Sequence, residues 1–267
     1  MTHIFSIPVL APYPWEPVVR YLSFRSTPGA ETLAGNRYVR QAPWGSIAVV
    51  FDSSKHALDC LGVCGVLEAS KSSELRARIQ RLFDTGHDPG PVDRALRSSP
   101  LLRSRIRKLP GVRAPGCWEP FELCLRVILG QQVSVKGAHT LMGRLTARCP
   151  GLEAGQVAEA DLSTLGLPAR RLQTLRLLAG RVAGGEIRFD GQPWDAVARQ
   201  LAEVPGFGPW TLQYLAIRLG RDPDAFPEQD LGLMRATGAK SPRELLRLAD
   251  AWRPYRAYAA MYLWMVE

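Results

Sequence analysis

The sequence predicts an α+β protein, in which an N-terminal domain of antiparallel sheet and helices precedes two mostly α-helical domains. Strand-like alternation of apolar and polar residues is confined to about the first 88 positions. From residue 89 onward, apolar residues recur at helical spacing between short breaks of Gly and Pro. One of these breaks, Pro205-Gly206-Phe207-Gly208, joins two helical segments in a tight turn.

The N-terminal region combines strand and helix patterns. Residues 3–7 alternate as a short strand, and residues 46–51 and 57–61 flank a turn rich in Asp and Ser, which indicates a β-hairpin. Residues 17–24 and 74–83 carry apolar side chains on one helical face. Helices packed on one face of an antiparallel sheet satisfy both patterns.

The remaining chain is a series of amphipathic segments. They are predicted as helices within residues 91–98, 101–108, 120–145, 160–184, 194–204, 209–217, 242–252 and 255–265. The segment 101–108 is very basic, which is typical of a solvated face and also compatible with DNA contact. Gly130-Gln131-Gln132-Val133-Ser134 interrupts the apolar pattern of 120–145, so we expect an exposed break there.

Composition limits the class of partner. The 267 residues carry a formal charge of +9, which favours a polyanionic partner. No apolar run approaches the roughly 18 residues of a membrane span, and the N-terminus lacks the basic start of a signal peptide. We therefore expect a cytoplasmic protein with no membrane partner. The five cysteines form no CxxC pair and are predicted to be reduced thiols.

The tight turn is suited to a phosphate. Gly206 and Gly208 allow the backbone to bend and to approach a partner closely. The helix that begins at Pro209 leaves N–H groups unpaired at its positive end, where phosphate binds. No acidic residue stands between Pro205 and Trp210. A plain helical hairpin, with glycine only for the bend, is the alternative.

One carboxylate is well placed for chemistry. Asp230 opens the apolar run Leu231, Leu233 and Met234, where an Asp is most often a helix N-cap and can also be catalytic. No Ser-His-Asp order, Cys–His pair, phosphate-binding loop or zinc spacing is present, and paired carboxylates are not evident. One acid among many aromatic residues suits cleavage of an N-glycosidic bond to a cationic base, because the sugar passes through an oxocarbenium-like state.

Residues 201–230 resemble the helix-hairpin-helix DNA glycosylases. The pattern Leu201, Pro205-Gly206, Gly208, Trp210-Thr211 and Tyr214, followed by Asp230, is similar to the bacterial 3-methyladenine DNA glycosylase II (AlkA) type in particular. The resemblance is strong over 120–145 and 195–265 and weaker before residue 90. It implies domains at 1–88, at 112–222 with the hairpin, and at 89–111 plus 223–267, with the catalytic cleft between the two helical domains.

The resemblance also implies roles for single residues. Asp230 is the implied catalytic residue. The implied base pocket comprises Trp210, Tyr214, Trp264 and Tyr21, and the alternative for each is an ordinary core residue. The implied DNA contacts are Gly206, Phe207, Gly208, Gly130, Gln132 and Ser134. Gln132 stands where family members push a side chain into the duplex, and the alternative is an exposed helix break.

Cofactor expectations follow from the same resemblance. The backbone carbonyls of Ala202, Val204 and Phe207 match positions that hold a monovalent cation, Na⁺ or K⁺, in the family. No cofactor is required, and an iron–sulfur cluster is not expected because no cysteine follows Cys149. Gln229 and Leu231 depart from close relatives, which often have a second acid and an aromatic residue there.

The expected reaction is therefore hydrolytic. Trp210 stands where bifunctional relatives carry a Schiff-base lysine, and an indole forms no imine. We expect a monomeric, monofunctional glycosylase that removes alkylated purines such as 3-methyladenine from double-stranded DNA. Two alternatives remain: a helix-hairpin-helix DNA-binding protein without catalysis, and a glycosylase for a neutral lesion such as uracil or hypoxanthine.

Overall fold

The N-terminal domain is built on one antiparallel sheet. The structure is a computed structural model that describes residues 1–42, 44–65, 72–219 and 222–266. Five strands pair in the order β1-β5-β4-β3-β2. The strands are β1 Thr2–Pro8, β2 Glu31–Ala34, β3 Arg37–Ala42, β4 Gly45–Asp52 and β5 Ala57–Gly65. The predicted hairpin is confirmed, since β4 and β5 pair antiparallel with Phe51 opposite Leu58.

Helices make up most of the rest of the described chain. Those of the N-terminal half are α1 Trp15–Ser23, α2 Ser72–Phe83, α3 Pro89–Leu96, α4 Pro100–Lys108, α5 Pro120–Gly130 and α6 Val135–Arg148. The later ones are α7 Ala154–Glu159, α8 Ala169–Ala183, α9 Trp194–Ala202, α10 Pro209–Arg218, α11 Leu231–Thr237, α12 Pro242–Ala249 and α13 Arg256–Met265. The predicted fold class, a sheet-and-helix domain followed by helical domains with a helical hairpin, is confirmed.

The predicted break in 120–145 separates two distinct helices. α5 ends at Gly130, so Gly130 is the last helical residue and is not part of the break. A built Cβ on Gly130 would lie 3.5 Å from Ala138 Cβ, which explains how closely α5 and α6 pack. The strand β2 and the helix α7 were not among the predicted elements, because both are too short to establish a periodic pattern.

Buried apolar residues form two cores. The first joins the sheet, α1–α4 and the C-terminal helices, with Val18, Phe83 and Tyr262 among its members. The second lies within residues 123–215 and includes Leu129 and Leu201. The N-terminal domain therefore shares a continuous core with the C-terminal helices, while the hairpin region has a core of its own. Within the described ranges, no helix combines the length and apolar character needed to cross a bilayer.

Candidate active site

The turn between α9 and α10 projects glycine backbone outward. Gly206 adopts φ +99°, a left-handed conformation that favours glycine, and both Gly206 and Gly208 are exposed. Pro209 occupies the first turn of α10, where its missing N–H costs no hydrogen bond. The Phe207 side chain is only 4% exposed and packs in the second core. Any contact that Phe207 makes with a ligand therefore uses its backbone.

Two side chains brace this turn from outside the hairpin. The Thr174 hydroxyl donates to the Pro205 carbonyl at 2.9 Å, and Gln131 Nε2 donates to the Gly206 carbonyl at 2.8 Å. Gln131 belongs to the break between α5 and α6, so that loop lies beside the turn. Gln132 is exposed at φ +59°, and Ser134 caps α6 by accepting from the Gly137 N–H at 3.0 Å. The turn and the loop therefore form one continuous surface.

Asp230 is the N-cap of α11. Its Oδ1 accepts from the Leu233 N–H at 2.9 Å. The same oxygen accepts from Trp264 Nε1 at 3.2 Å, and Oδ2 accepts from Trp210 Nε1 at 3.0 Å. One half-buried carboxylate thus joins α10, α11 and α13 at a single point. A carboxylate has about four acceptor positions, and these hydrogen bonds use three. Asp230 can therefore cap α11 and still accept a hydrogen bond from a ligand.

The aromatic residues around Asp230 form a partly open wall. Trp210 and Tyr214 stack with ring centroids 5.5 Å apart and planes 10° apart. Trp264 meets Tyr214 edge-on, with centroids 5.9 Å apart. All three rings are half-buried, so each keeps accessible surface. Electron-rich ring faces beside a carboxylate are suited to a planar cation.

Tyr21 is not brought to the carboxylate. Its side chain is 5% exposed and belongs to the first core. The Arg25 guanidinium lies 3.9 Å from its ring centroid and the Arg218 guanidinium 5.3 Å. Because Arg218 also bonds to Tyr214, Tyr21 lies one layer behind the aromatic wall.

The electrostatics of Tyr214 differ from those of an ordinary tyrosine. Burial of its hydroxyl raises the pKa of Tyr214, but the positive charges of Arg218, Arg25 and Arg126 outweigh that effect and lower this pKa to about 8. Arg218 Nη1 donates to the Tyr214 hydroxyl at 2.8 Å. Burial raises the pKa of Tyr21, with Arg25 opposing the shift.

Two positioning residues were not identified from the sequence. A built Cβ on Gly232 would lie 3.0 Å from Asp230 Oδ1 and 3.7 Å from Trp264 Nε1, so this position admits little beyond glycine. Gln213 on α10 accepts from the Phe226 N–H at 2.8 Å and so fixes the loop that leads to Asp230. The contact of Gln213 with Phe226 and that of Gly232 with Trp264 depend on tertiary packing, so neither has a signal in local spacing.

A cavity lies away from the Asp230 wall. It has a volume of about 1180 Å³, between the sheet and the helices of residues 120–190, and none of the predicted site residues lines it. Its buried acid, Glu122, is already ion-paired with Arg40 and accepts from Thr27. We favour the Asp230 wall as the site, because there the carboxylate meets accessible aromatic rings and neutral donors only.

Metal ligation has little support from side chains. No group of three or more His, Cys, Asp or Glu side chains in the described ranges could hold an ion. At the hairpin, the Pro205 and Gly206 carbonyls are occupied by Thr174 and Gln131. The predicted ligands for a monovalent cation are the carbonyls of Ala202, Val204 and Phe207. The Val204 carbonyl already accepts from the Phe207 N–H at 3.1 Å, which leaves its second lone pair for an ion.

Comparison with solved structures defines the class of fold. The chain matches the 3-methyladenine DNA glycosylase from Archaeoglobus fulgidus with a TM-score of 0.80 over 97% of both chains, at 19% identity. It matches the Clostridium acetobutylicum 8-oxoguanine glycosylase/lyase in complex with DNA with a TM-score of 0.69, over 88% of this chain and 86% of that one, at 15% identity. The fold is therefore that of the helix-hairpin-helix DNA glycosylases.

Sequence comparison identifies the family. The model of the AlkA N-terminal domain matches residues 4–119. The Escherichia coli DNA-3-methyladenine glycosylase 2 is 30% identical, over 96% of this chain and 95% of that protein. The chain belongs to this AlkA family of DNA-3-methyladenine glycosylases. The Mycobacterium tuberculosis probable bifunctional transcriptional activator/DNA repair enzyme AlkA is 35% identical over 97% of this chain, which spans 56% of the length of that protein.

The hydrogen bond between Gln131 and the turn can be tested by measuring the free energy of unfolding of two variants. Gln131→Glu keeps the side-chain shape but replaces the donor with a carboxylate that repels the Gly206 carbonyl. We expect a loss of about 1 kcal/mol in the free energy of unfolding, the typical value of one hydrogen bond. Gln132→Glu makes the same charge change at the exposed neighbouring position and should cost less than about 0.5 kcal/mol. Equal unfolding curves for the two variants in urea would contradict the assigned contact.

Proposed function

We propose that the chain is a monofunctional DNA glycosylase that removes alkylated, cationic purines such as 3-methyladenine from double-stranded DNA. It hydrolyses the N-glycosidic bond and leaves an abasic site, as base-excision repair requires. The observation that carries this proposal is the Asp230 carboxylate, which accepts hydrogen bonds from Trp210 and Trp264 beside the helical hairpin. The name of the Escherichia coli relative supports the substrate class.

Binding begins at the DNA backbone. The N–H groups at the start of α10 and the exposed backbone of Gly206 and Gly208 would receive a phosphate, and no acidic residue stands between Pro205 and Trp210. Gln132 on the adjacent exposed loop enters the duplex and fills the space of the extruded nucleotide. The amide of Gln132 can hydrogen-bond the orphaned base, which partly offsets the cost of unstacking.

The extruded base then stacks on the aromatic wall. Trp210, Tyr214 and Trp264 present ring faces and edges to a cationic purine, at about 0.5–2 kcal/mol for each favourable cation–π contact. A neutral base of the same shape does not gain this cation–π stabilisation. The wall therefore selects for charge as well as for planarity.

Bond cleavage needs little acid catalysis. The bond between C1′ and the base nitrogen breaks with its electron pair moving to the base, which neutralises the positive charge of the base. C1′ becomes oxocarbenium-like, and the Asp230 carboxylate stabilises this charge and orients the water that adds to C1′. After the C1′–O bond forms, the added water releases one proton to solvent, which completes the hydrolysis. The indole donors keep Asp230 in one orientation, so no reorganisation is needed at that moment.

The carboxylate is tested by Asp230→Asn. Asparagine is as good an N-cap as aspartate, so α11 should keep its first turn. We expect 3-methyladenine release in single turnover to fall by about 100- to 1000-fold, because a preorganised negative charge is lost. Binding to undamaged duplex should not weaken.

Asp195→Asn is the matched control, since Asp195 is exposed in the first turn of α9. It removes one negative charge near the hairpin but not at the site, and its rate should stay close to that of the unmodified chain. If Asp230→Asn released 3-methyladenine as fast as this control, a DNA-binding protein without catalysis at Asp230 would be the better description.

The absence of lyase chemistry gives a second test. Trp210 occupies the hairpin position where a Schiff base would require an amine, and its indole N–H is already bonded to Asp230. We expect that borohydride added during the reaction traps no covalent protein–DNA adduct, while abasic sites still accumulate. An adduct on denaturing gels, under conditions in which a bifunctional glycosylase forms one, would refute the monofunctional assignment.

We also propose that the carbonyls of Ala202, Val204 and Phe207 bind Na⁺ or K⁺. The ion would brace the turn and add positive charge near a phosphate. DNA affinity should be higher in K⁺ or Na⁺ than in tetramethylammonium at equal ionic strength, since a bulky cation cannot enter a carbonyl cage. Equal affinities in the three salts would count against the cation site.

A further inference from the structure

Arg218, at the C-terminal end of α10, is fixed in one orientation beneath the aromatic wall. Its side chain is 2% exposed. Nε donates to the Pro115 carbonyl and Nη2 to the Gly116 carbonyl, both at 2.6 Å. Nη1 donates to the Tyr214 hydroxyl at 2.8 Å. The two carbonyl bonds set the plane of the guanidinium, and the third bond directs its charge at Tyr214.

The guanidinium groups around Tyr214 form no ion pair within the described part of the chain, and the Glu31 carboxyl acts on Arg126 only from longer range. Arg126 from α5 is 8% exposed and donates to the backbone carbonyls of Ser26 and Phe24. Arg25, just after α1, donates to the Tyr21 carbonyl at 3.1 Å. Among the described residues, no carboxylate lies within ion-pair distance of Arg25, Arg126 or Arg218. Buried guanidinium groups of this kind are costly unless something offsets their charge.

Tyr214 connects this cluster to the carboxylate. Its hydroxyl accepts from Arg218, and its ring stacks on Trp210 and meets the edge of Trp264. Both indoles donate to Asp230. The ring therefore has its polar end among guanidinium groups and its face toward the site.

Resting on the proposed function, we propose that Arg218 is a positioning residue that sets the lesion preference through Tyr214. Its hydrogen bond draws the Tyr214 hydroxyl toward the phenolate form, so that the ring presents a partly anionic face to the extruded base. That face favours purines with a positive charge over neutral ones. It also offsets the guanidinium cluster, which would otherwise repel a cationic base.

The groups that face Tyr214 support the direction of the effect. They are Arg218 on its own helix, Tyr21 and Arg25 from the α1 region, and Arg126 from α5. Cys117, in the loop before α5, faces Arg218. Together the arginines lower the pKa of Tyr214 to about 8 despite burial of the hydroxyl. The phenolate is therefore populated above this pH and lost below it, so the preference for cations should rise with pH.

The experiment compares two lesions across pH with the full chain. Alkylated duplex supplies 3-methyladenine, which stays cationic, and a second duplex supplies hypoxanthine, which is neutral. Single-turnover release rates are measured from about pH 6.5 to 8.5, on both sides of the expected ionisation. The ratio of the cationic to the neutral rate should rise by about three- to tenfold over this range, as a strengthened cation–π contact allows.

Variants test whether the hydrogen bond between Arg218 and Tyr214 causes the pH dependence of the ratio. Tyr214→Phe keeps the ring and leaves the bonds of Arg218 to Pro115 and Gly116 intact, so it should fold. It should lower the ratio and make it independent of pH. Arg218→Met should do the same, and the double variant should add nothing further, because both changes remove one interaction. Arg218→Lys, which keeps a donor and a charge, should restore part of the pH dependence.

A spectroscopic readout covers the case in which Arg218→Met fails to fold. Ultraviolet difference titration of the free protein should reveal one tyrosine that ionises near the pH at which the ratio rises. That transition should vanish in Tyr214→Phe and persist in Tyr255→Phe, a matched change at the start of α13. If the transition were missing from the unmodified protein, or if Tyr214→Phe kept the pH-dependent ratio, the inference would be wrong.

Failure of the proposed function has a different signature. A chain that released neither base would refute the glycosylase proposal, and the inference would fall with it. A chain that released both bases at a ratio that is independent of pH would keep the glycosylase proposal and overturn the role of Arg218.

Discussion

Two indole N–H groups that share one carboxylate are the interaction on which the arrangement of the site depends. Trp210 and Trp264 come from helices far apart in the chain, and both end at Asp230. The carboxylate can accept them only if α10, α11 and α13 converge within hydrogen-bonding distance. The shared core of the N-terminal domain and the C-terminal helices holds α13 in place for this. The packing of the sheet against α13 therefore helps to fix the position of Trp264 at the site.

The same side chain serves local structure and the site. As the N-cap, Asp230 satisfies the Leu233 N–H, which would otherwise be left unpaired at the start of α11. This cap fixes the carboxylate relative to a helix axis, and the indoles fix its rotation. Gly232 keeps the first turn of α11 clear of both groups. A cap and a reactive carboxylate are compatible here because each oxygen can accept more than one hydrogen bond.

Sequence reasoning succeeded where the signal is local. The hairpin, the cap at Asp230 and the break near Gln132 each follow from residues close together in the chain, and the fold class follows from periodicity. The bond between Gln131 and Gly206 joins residues 75 positions apart and has no such signal. The guanidinium cluster around Tyr214 is likewise assembled from three separate elements. Tyr21 was assigned to the pocket by resemblance, and it is buried in the first core against Arg25 and Arg218, next to the polar end of Tyr214.

α10 follows the glycine turn directly and ends at Arg218, 10 residues from its start at Pro209. A straight helix of that length spans about 15 Å. Trp210 and Tyr214 of the aromatic wall lie between these two ends, so one helix links the turn to the rings beside Asp230. A phosphate held at the turn and a base stacked on Trp210 would contact the same helix, so the position of the DNA backbone would fix the direction from which the base approaches Asp230.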